Sequence, residues 1–360
     1  MKWKLIALGA GVLAAAAGAA AFLMQRQIGE AIFSRAVVET IGRDRSAELP
    51  DGLHVFVCGS GSPMPDPARA GPCIGVLAGR RALLFDIGSG GARRLQRMGF
   101  PIGRLERIYL THLHSDHIDG LGELMLQAWI GGSRTTPLPV AGPEGVEEVV
   151  AGFNTAYRID STYRTAHHGE TVANPAGFGA VAEAIPAPAG GGGSAVIHDA
   201  DGLKVTVIAV DHEPVAPAFG FRVDYRGRSI VLSGDTVYSD DLVAAARGAD
   251  ILLHEALNPA MVDQMRQAAA SSGQPHIARI MGDILGYHAS PEDAARAASG
   301  AGVKRLVLYH IVPPLPSAFL DAAFLGDAPS LFGGPIRVAE DGLLISLPAG
   351  GSEIRESVAR

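Results

Sequence analysis

Apolar residues along this chain fall into three regimes. The first is one uninterrupted stretch, Leu5 to Met24, twenty residues without a charge. The second is a series of short apolar or alternating runs, each closed by glycine, proline or a polar turn, which is how strands punctuate a sequence. They predict strands over 53–58, 73–78, 82–85, 107–110, 137–141, 203–210, 219–225, 229–232, 251–253 and 305–309, and a terminal hairpin from 337–338 and 343–347. Gly79-Arg80 and Arg226-Gly227 read as hairpin turns. The third regime has apolar residues at helical spacing and predicts helices over 92–98, 121–129 and 144–158, a helix-rich segment over 259–284, and a helix over 291–298. Pro291 opens that last helix behind Ser290, a good cap arrangement. Residues 159–200 have no clear period and hold Tyr163, His167, His168 and a proline- and glycine-rich run over 186–193. A loop of that length in a compact domain is expected to be a lid or an insertion, with the two histidines at the surface.

The N-terminal run matches the ~20 residues that span a bilayer's hydrocarbon core, and exceeds the ~7–15 of a signal-peptide core. Lys2 and Lys4 precede it, which favours an N-terminus left in the cytoplasm and the remainder outside, in a bacterium the periplasm. The small residues Ala14–Ala21 keep a cleaved signal and a secreted product open. The expected organisation is a transmembrane anchor or signal segment at 1–24, a juxtamembrane linker at 25–50, one catalytic domain at 51–350, and a polar tail at 351–360.

The candidate chemistry is concentrated in Thr111-His112-Leu113-His114-Ser115-Asp116-His117. Four metal-competent side chains follow directly on a buried strand. His112 and His114 point the same way on an extended loop, so they can hold one ion together. Asp116 and His117, after the turn, face a second ion. Imidazole and carboxylate suit zinc, with iron and manganese as competitors. The remaining ligands fall at later strand ends: His212, Asp235 and His310. The set then reads His112, His114 and His212 for one ion, Asp116, His117 and His310 for the other, and Asp235 bridging them. Asp86, also at a strand end, is expected to hydrogen-bond the histidine loop from behind.

Composition narrows the picture without changing it. With 360 residues and 48% apolar content the chain can bury a large core. A net charge of −7 gives no overall electrostatic case for a nucleic-acid surface. Cys58 and Cys73 are too few for a disulfide scaffold and read as buried thiols, a Cys58–Cys73 bridge being the alternative in an exported domain.

The order and types of these residues resemble the metallo-β-lactamase superfamily, and within it the ribonuclease Z and arylsulfatase-like branch. Gly59-Ser60-Gly61-Ser62-Pro63, Phe85-Asp86-Ile87-Gly88, His254-Glu255-Ala256 and His288-Ala289-Ser290 carry the resemblance beside the ligands. It implies an αββα four-layer sandwich with two zinc ions, in which a metal-activated water attacks an ester. Asp116 would be ligand and base together, His288 would serve the leaving or non-bridging oxygen, and Glu255 would orient it. His254 is expected to be structural. No Cys follows residue 73, which argues against the commonest β-lactamase ligand set. Ribonuclease Z that matures transfer RNA carries a long arm between the residues matching His212 and Asp235, and here residues 213–234, 22 in all, leave room for one hairpin. Transfer RNA is therefore expected to be an unlikely partner. The expected substrate is a small phosphodiester or aryl sulfate ester, with a lactone or β-lactam, or a non-catalytic metal-binding role in the envelope, as alternatives. Dimers are common in this branch by resemblance.

Overall fold

The computed structural model describes residues 2–42 and 44–359. It divides into two compact units, residues 1–44 and 45–360. In the first, α1 (Lys2–Leu23) is followed by α2 (Gln25–Thr40), so most of the expected linker is helix. Apolar side chains such as Ile6, Leu13 and Phe22 are exposed. Among the described residues no single helix is long and apolar enough to cross a membrane, so the expected single spanning helix is not confirmed. Gly9–Leu23 and Gln25–Glu39 meet that requirement only together, bent by 66° at the break.

The second unit opens with β1 (Gly52–Gly59), β2 (Cys73–Ala78) and β3 (Arg81–Phe85), then α3 (Gly91–Arg97) and β4 (Leu105–Tyr109). A single turn, α4 (Ser115–Ile118), leads into α5 (Leu121–Gly132), β5 (Leu138–Gly142), α6 (Val146–His168) and β6 (Ala180–Ala184). The second half runs β7 (Ser194–Ala200), β8 (Leu203–His212), β9 (Val215–Tyr225), β10 (Arg228–Leu232), α7 (Asp240–Ala246) and β11 (Ile251–Leu257). It continues through α8 (Pro259–Ser271), α9 (Pro275–Asp283), α10 (Pro291–Ala301), β12 (Arg305–Val312), α11 (Asp321–Leu325), α12 (Ala328–Leu331) and β13 (Ile336–Val338). The chain closes with β14 (Leu343–Pro348) and β15 (Arg355–Val358).

Two mixed sheets result, ordered β15-β14-β1-β2-β3-β4-β5-β6 and β13-β12-β11-β10-β9-β8-β7. Each runs antiparallel through its hairpins and parallel where helices make the crossovers, as along β3-β4-β5-β6 and β10-β11-β12-β13. The inner faces meet in one apolar core, in which Phe85, Tyr109 and Phe221 pack with ring centroids 5.3–5.5 Å apart. The outer face of the first sheet buries Leu95, Leu124 and Val146 of α3, α5 and α6. The outer face of the second buries Leu242 of α7 and the alanines of α10. This is the expected αββα sandwich, each sheet face covered because a bare apolar face costs free energy in water.

Several sequence expectations are corrected. Residues 159–200 are not a long loop: α6 continues to His168, and β6 and β7 lie in the rest, one at an edge of each sheet. His167 and His168 are exposed at the end of α6, as expected. The 337–347 hairpin does not exist, since β13 pairs with β12 and β14 with β1 in the other sheet. The supposed polar tail contains β15, antiparallel to β14. Cys58 and Cys73 form a disulfide, so the free-thiol expectation is overturned. Their neighbouring strands bring the two Cα atoms to 5.0 Å across a separation of 15 residues. Closing a loop of that size removes unfolded-state entropy, by about 3 kcal/mol at room temperature.

The pole of the sandwich away from the site is fixed by Arg228, 1% exposed. Its Nε donates to Asp250 at 3.0 Å and its Nη1 to the carbonyls of Pro348 and Gly351. Lys304 and the Ser229 N–H also donate to Asp250. Burial pushes the Asp250 carboxyl up, but Lys304, Ser229 and Arg228 outweigh it and hold the pKa below the ordinary value. Such a group stabilises the fold above its unfolded pKa and loses that contribution as pH falls through the folded one. Asp250→Asn should therefore lower stability at pH 7 by roughly 3 kcal/mol, because it strands the buried guanidinium. In urea denaturation the gap from wild type should narrow as pH falls toward about 3. A gap independent of pH would contradict this assignment.

Candidate metal centre

The site is assembled where strands of both sheets end. After β3 the chain turns at Asp86 with φ 54°, and its carboxylate accepts the Thr111 N–H and hydroxyl at 2.8 Å each. His117 Nδ1 lies 2.9 Å from the same carboxylate, which leaves Nε2 to face the cluster. Asp86 thus holds the loop after β4 as the sequence suggested. Gly88 packs on that loop so closely that an added Cβ would stand 2.3 Å from the Asp116 carbonyl oxygen.

The second sheet brings His212 from the end of β8, Asp235 from the turn after β10, Glu255 from β11 and His310 from β12. His310 corrects the sequence reading, which ended its strand one residue earlier. The strand continues to Val312, and the register against β11 skips from Glu255↔Tyr309 to Ala256↔Ile311. His310 is the extra residue of a β-bulge, with φ 49°. A bulge re-aims one side chain without ending the ladder. Tyr309 therefore stays in the inner core and Ile311 in the outer one, while His310 turns into the site.

Seven side chains converge. His112 Nε2 and His114 Nδ1 are 2.9 Å apart, and His114 Nδ1 and His212 Nε2 3.3 Å. Asp116 Oδ2 lies 3.6 Å from His117 Nε2 and 3.3 Å from His310 Nε2. Asp235 Oδ2 sits between the groups, 3.9 Å from His112, 3.4 Å from His117 and 3.2 Å from His310. His112, His114, His212 and Asp235 form one constellation able to hold an ion, and Asp116, His117 and His310 a second. Donor atoms about 2.0–2.1 Å from one zinc at tetrahedral angles are about 3.3 Å apart, so the spacing fits.

The electrostatics fit as well. His117 Nε2 and Asp235 Oδ1 are buried without a hydrogen-bond partner among the described residues. Burial, with neighbouring imidazoles, holds His112 well below its ordinary pKa, and burial also lowers His114 and His212, which keeps these rings in the neutral, ligating form. His212 is oriented by the Tyr287 carbonyl 2.9 Å from its Nδ1, a backbone partner that no side-chain motif could announce. Burial disfavours a charged His117, but Asp235 and Asp86 outweigh it and raise its pKa well above the ordinary value. The cluster therefore attracts positive charge.

At the rim His288 Nδ1 meets Glu255 Oε1 at 3.0 Å. The same oxygen accepts the N–H groups of Ala289 and Thr236. Burial lowers the His288 pKa, but Glu255 reverses this and pushes it up to about 9. Ser290 then caps α10 in a reciprocal box with Asp293, which fixes the segment carrying His288. His254 faces the other way, fully buried, with Nδ1 2.7 Å from the Glu255 carbonyl, and takes no part in the cluster. Elemental analysis of the zinc-equilibrated protein should find two metal equivalents. Asp235→Ala should hold at most one, and Asp86→Ala should bind about 10–100-fold more weakly. Unchanged stoichiometry in Asp235→Ala would refute the bridging position.

Comparison with known proteins agrees with this geometry. The family described as "Beta-lactamase superfamily domain" matches residues 81–311. Ribonuclease Z of Mycobacterium avium (strain 104) is 40% identical over 265 residues, which cover 73% of this chain and 87% of that protein. Ribonuclease Z of Mycobacterium bovis (strain BCG / Pasteur 1173P2) is 38% identical over 291 residues, 80% and 96% of the two chains. Among solved structures, the metallo-β-lactamase fold protein YhfI from Bacillus subtilis superposes with a TM-score of 0.59 at 21% identity, over 82% of this chain and all of that one. The short form of human tRNase Z superposes with a TM-score of 0.55 at 25% identity, over 82% and 99%. The chain belongs to the metallo-β-lactamase superfamily, in its ribonuclease Z branch.

Proposed function

We propose that this protein is a metal-dependent hydrolase of phosphodiester bonds that works with two zinc ions. One observation carries the reading: two histidine–aspartate constellations adjoin, with Asp235 Oδ2 of the first 3.4 and 3.2 Å from His117 and His310 of the second, beside a Glu255-held His288. Relatives named ribonuclease Z support the phosphodiester as the bond attacked, while the aryl sulfate alternative draws no support from them. Nor do they favour the expectation of a small ester in place of RNA.

His112, His114 and His212 would hold one ion, Asp116, His117 and His310 the other, and Asp235 both. Zinc supplies a Lewis acid for phosphoryl oxygens and lowers the pKa of a coordinated water toward ~7. Asp116 would take up the proton of the attacking water at its carboxylate, which His310 and His117 keep ionised against the effect of burial. His288, with Nδ1 committed to Glu255, would donate from Nε2 to the departing oxygen. Glu255 would hold that ring through Oε1, which the Thr236 and Ala289 N–H groups fix in turn.

We further propose attachment to the bacterial inner membrane, single-pass, with the catalytic domain in the periplasm, or secretion after signal cleavage. Support comes from the uncharged N-terminal run and from a disulfide, which persists in oxidising compartments. Carbonate-washed membranes should retain the protein, and its recovery in the cytosol would exclude both versions.

For the chemistry, initial rates on bis(p-nitrophenyl) phosphate and p-nitrophenyl sulfate decide. The zinc-loaded enzyme should cleave the phosphodiester, and Asp116→Ala should abolish the rate. His288→Ala should lower kcat by about 10²–10⁴ with zinc content unchanged, the range for a lost general acid. Two bound metals and no phosphodiester turnover would overturn the proposal.

A further inference from the structure

The buried ligand rings of the centre are held from behind in different ways. His117 Nδ1 rests on Asp86, His212 Nδ1 on the Tyr287 carbonyl, and His112 Nδ1 lies 3.1 Å from the Thr111 hydroxyl. His310 differs: its Nδ1 is buried without a hydrogen-bond partner among the described residues. Its aim depends instead on the backbone that carries it, the bulge with φ 49°. The residue after the bulge is tied outward, the Ile311 N–H donating to the Ser60 carbonyl at 2.9 Å.

Ser60 is held in turn by one carboxylate. Asp341 Oδ1 accepts both the Ser60 N–H and its hydroxyl at 2.9 Å each, and Oδ2 accepts the Ala70 N–H at 2.7 Å. The Asp341 side chain is 1% exposed, with Arg94 Nε 3.4 Å away as its counter-charge. A carboxylate withdrawn from water to this degree needs such partners. Asp341 lies in the turn where the chain leaves β13 in one sheet for β14 in the other. Beside it, Ala339 donates to the Leu308 carbonyl of β12, and Gly342 to the Val57 carbonyl of β1. The turn is therefore fastened to both sheets.

The Ala70 branch leads to another ligand of the same ion. Gly71 packs so closely that an added Cβ would stand 3.0 Å from the Asp116 carbonyl oxygen and 3.0 Å from Gly88 Cα. Its N–H donates to the Ser89 carbonyl, and the Gly88 N–H to that of Pro72. The Ser60 and Ala70 segments are also joined to each other, by the Gly61 N–H on the Ala70 carbonyl and by the Cys58–Cys73 bridge. One buried carboxylate thus braces two segments, of which one ends on the backbone beside His310 and the other on that of Asp116. These two residues come from opposite sheets and belong to one constellation with His117.

We infer that Asp341 is a positioning residue for the second ion, holding His310 and Asp116 in register across the two sheets. This rests on the two-zinc reading of the centre. His112 and His212 have their own partners in Thr111 and Tyr287, so the first ion should be affected little.

The test titrates the metal-free, full-length protein with zinc against a chromophoric chelator. Asp341→Asn keeps the size of the side chain but turns one acceptor oxygen into a donor, which releases either Ser60 or Ala70. Its second equivalent should bind about 10–100-fold more weakly, the range for outer partners of metal ligands, and its first within about threefold of wild type. In a parallel Co(II) titration, the d–d absorption that grows with the second equivalent should weaken and shift. Asp250→Asn, destabilised at the other pole, controls for lost stability and should bind both equivalents as wild type does. Ser60→Ala, which removes only the hydroxyl bond, should weaken the second equivalent about threefold, and carries the test if the asparagine variant does not fold. A second equivalent bound as tightly as by wild type would overturn the inference and leave the two-zinc reading standing, and so would equal weakening of both. Uptake of only one equivalent by wild type would overturn the two-zinc reading and the inference with it.

Discussion

Carboxylate and imidazole groups crowded at one buried pole set the terms for the rest of this molecule. Asp86, Asp116, Asp235 and Glu255 lie within the same few side chains as His112, His117, His212 and His310, nearly all out of water. Removing charge from water is expensive unless an opposite charge compensates it. The structure answers in two ways. Several outward-facing ring nitrogens and carboxylate oxygens are tied to protein, as Asp86 is to Thr111 and His117, and Glu255 to His288. The inward-facing atoms are left for cations, at separations that suit tetrahedral ligation.

The sandwich makes this affordable because the polar cluster sits at strand ends, above an aromatic floor of Phe85, Tyr109 and Phe221 that both sheets share. Two local departures from regular backbone complete it. Asp86 and His310 both hold positive φ, rare for side chains with a Cβ, one at the end of β3 and one in the bulge of β12. Strained backbone of this kind persists where its surroundings over-determine it, commonly at functional sites. Here one residue anchors the metal loop from behind and the other turns a strand residue into the centre.

Much of this was legible in the sequence, for identifiable reasons. His-x-His-x-Asp-His needs only alternation and one turn, so its geometry is local. Ser290-Pro291 declares its own cap. His212 and Asp235 close apolar runs that read plainly as strands. What stayed hidden depends on partners distant in sequence. The bulge at His310 is a property of β11 and β12 together, and the separation of β13 from β14 is set by which sheet each joins. β15 is exposed along its length and has no alternation to betray it. The Cys58–Cys73 bridge follows from adjacent strands, not from spacing.

The most direct test of the account is a zinc titration of the metal-free, full-length protein with turnover of bis(p-nitrophenyl) phosphate followed in the same samples. The account predicts that the rate climbs to a plateau at two equivalents, with little activity at one, because Asp235 joins both halves of the centre. A rate already maximal at one equivalent would contradict the two-metal centre. A protein that binds two equivalents and remains inactive would contradict the hydrolase itself.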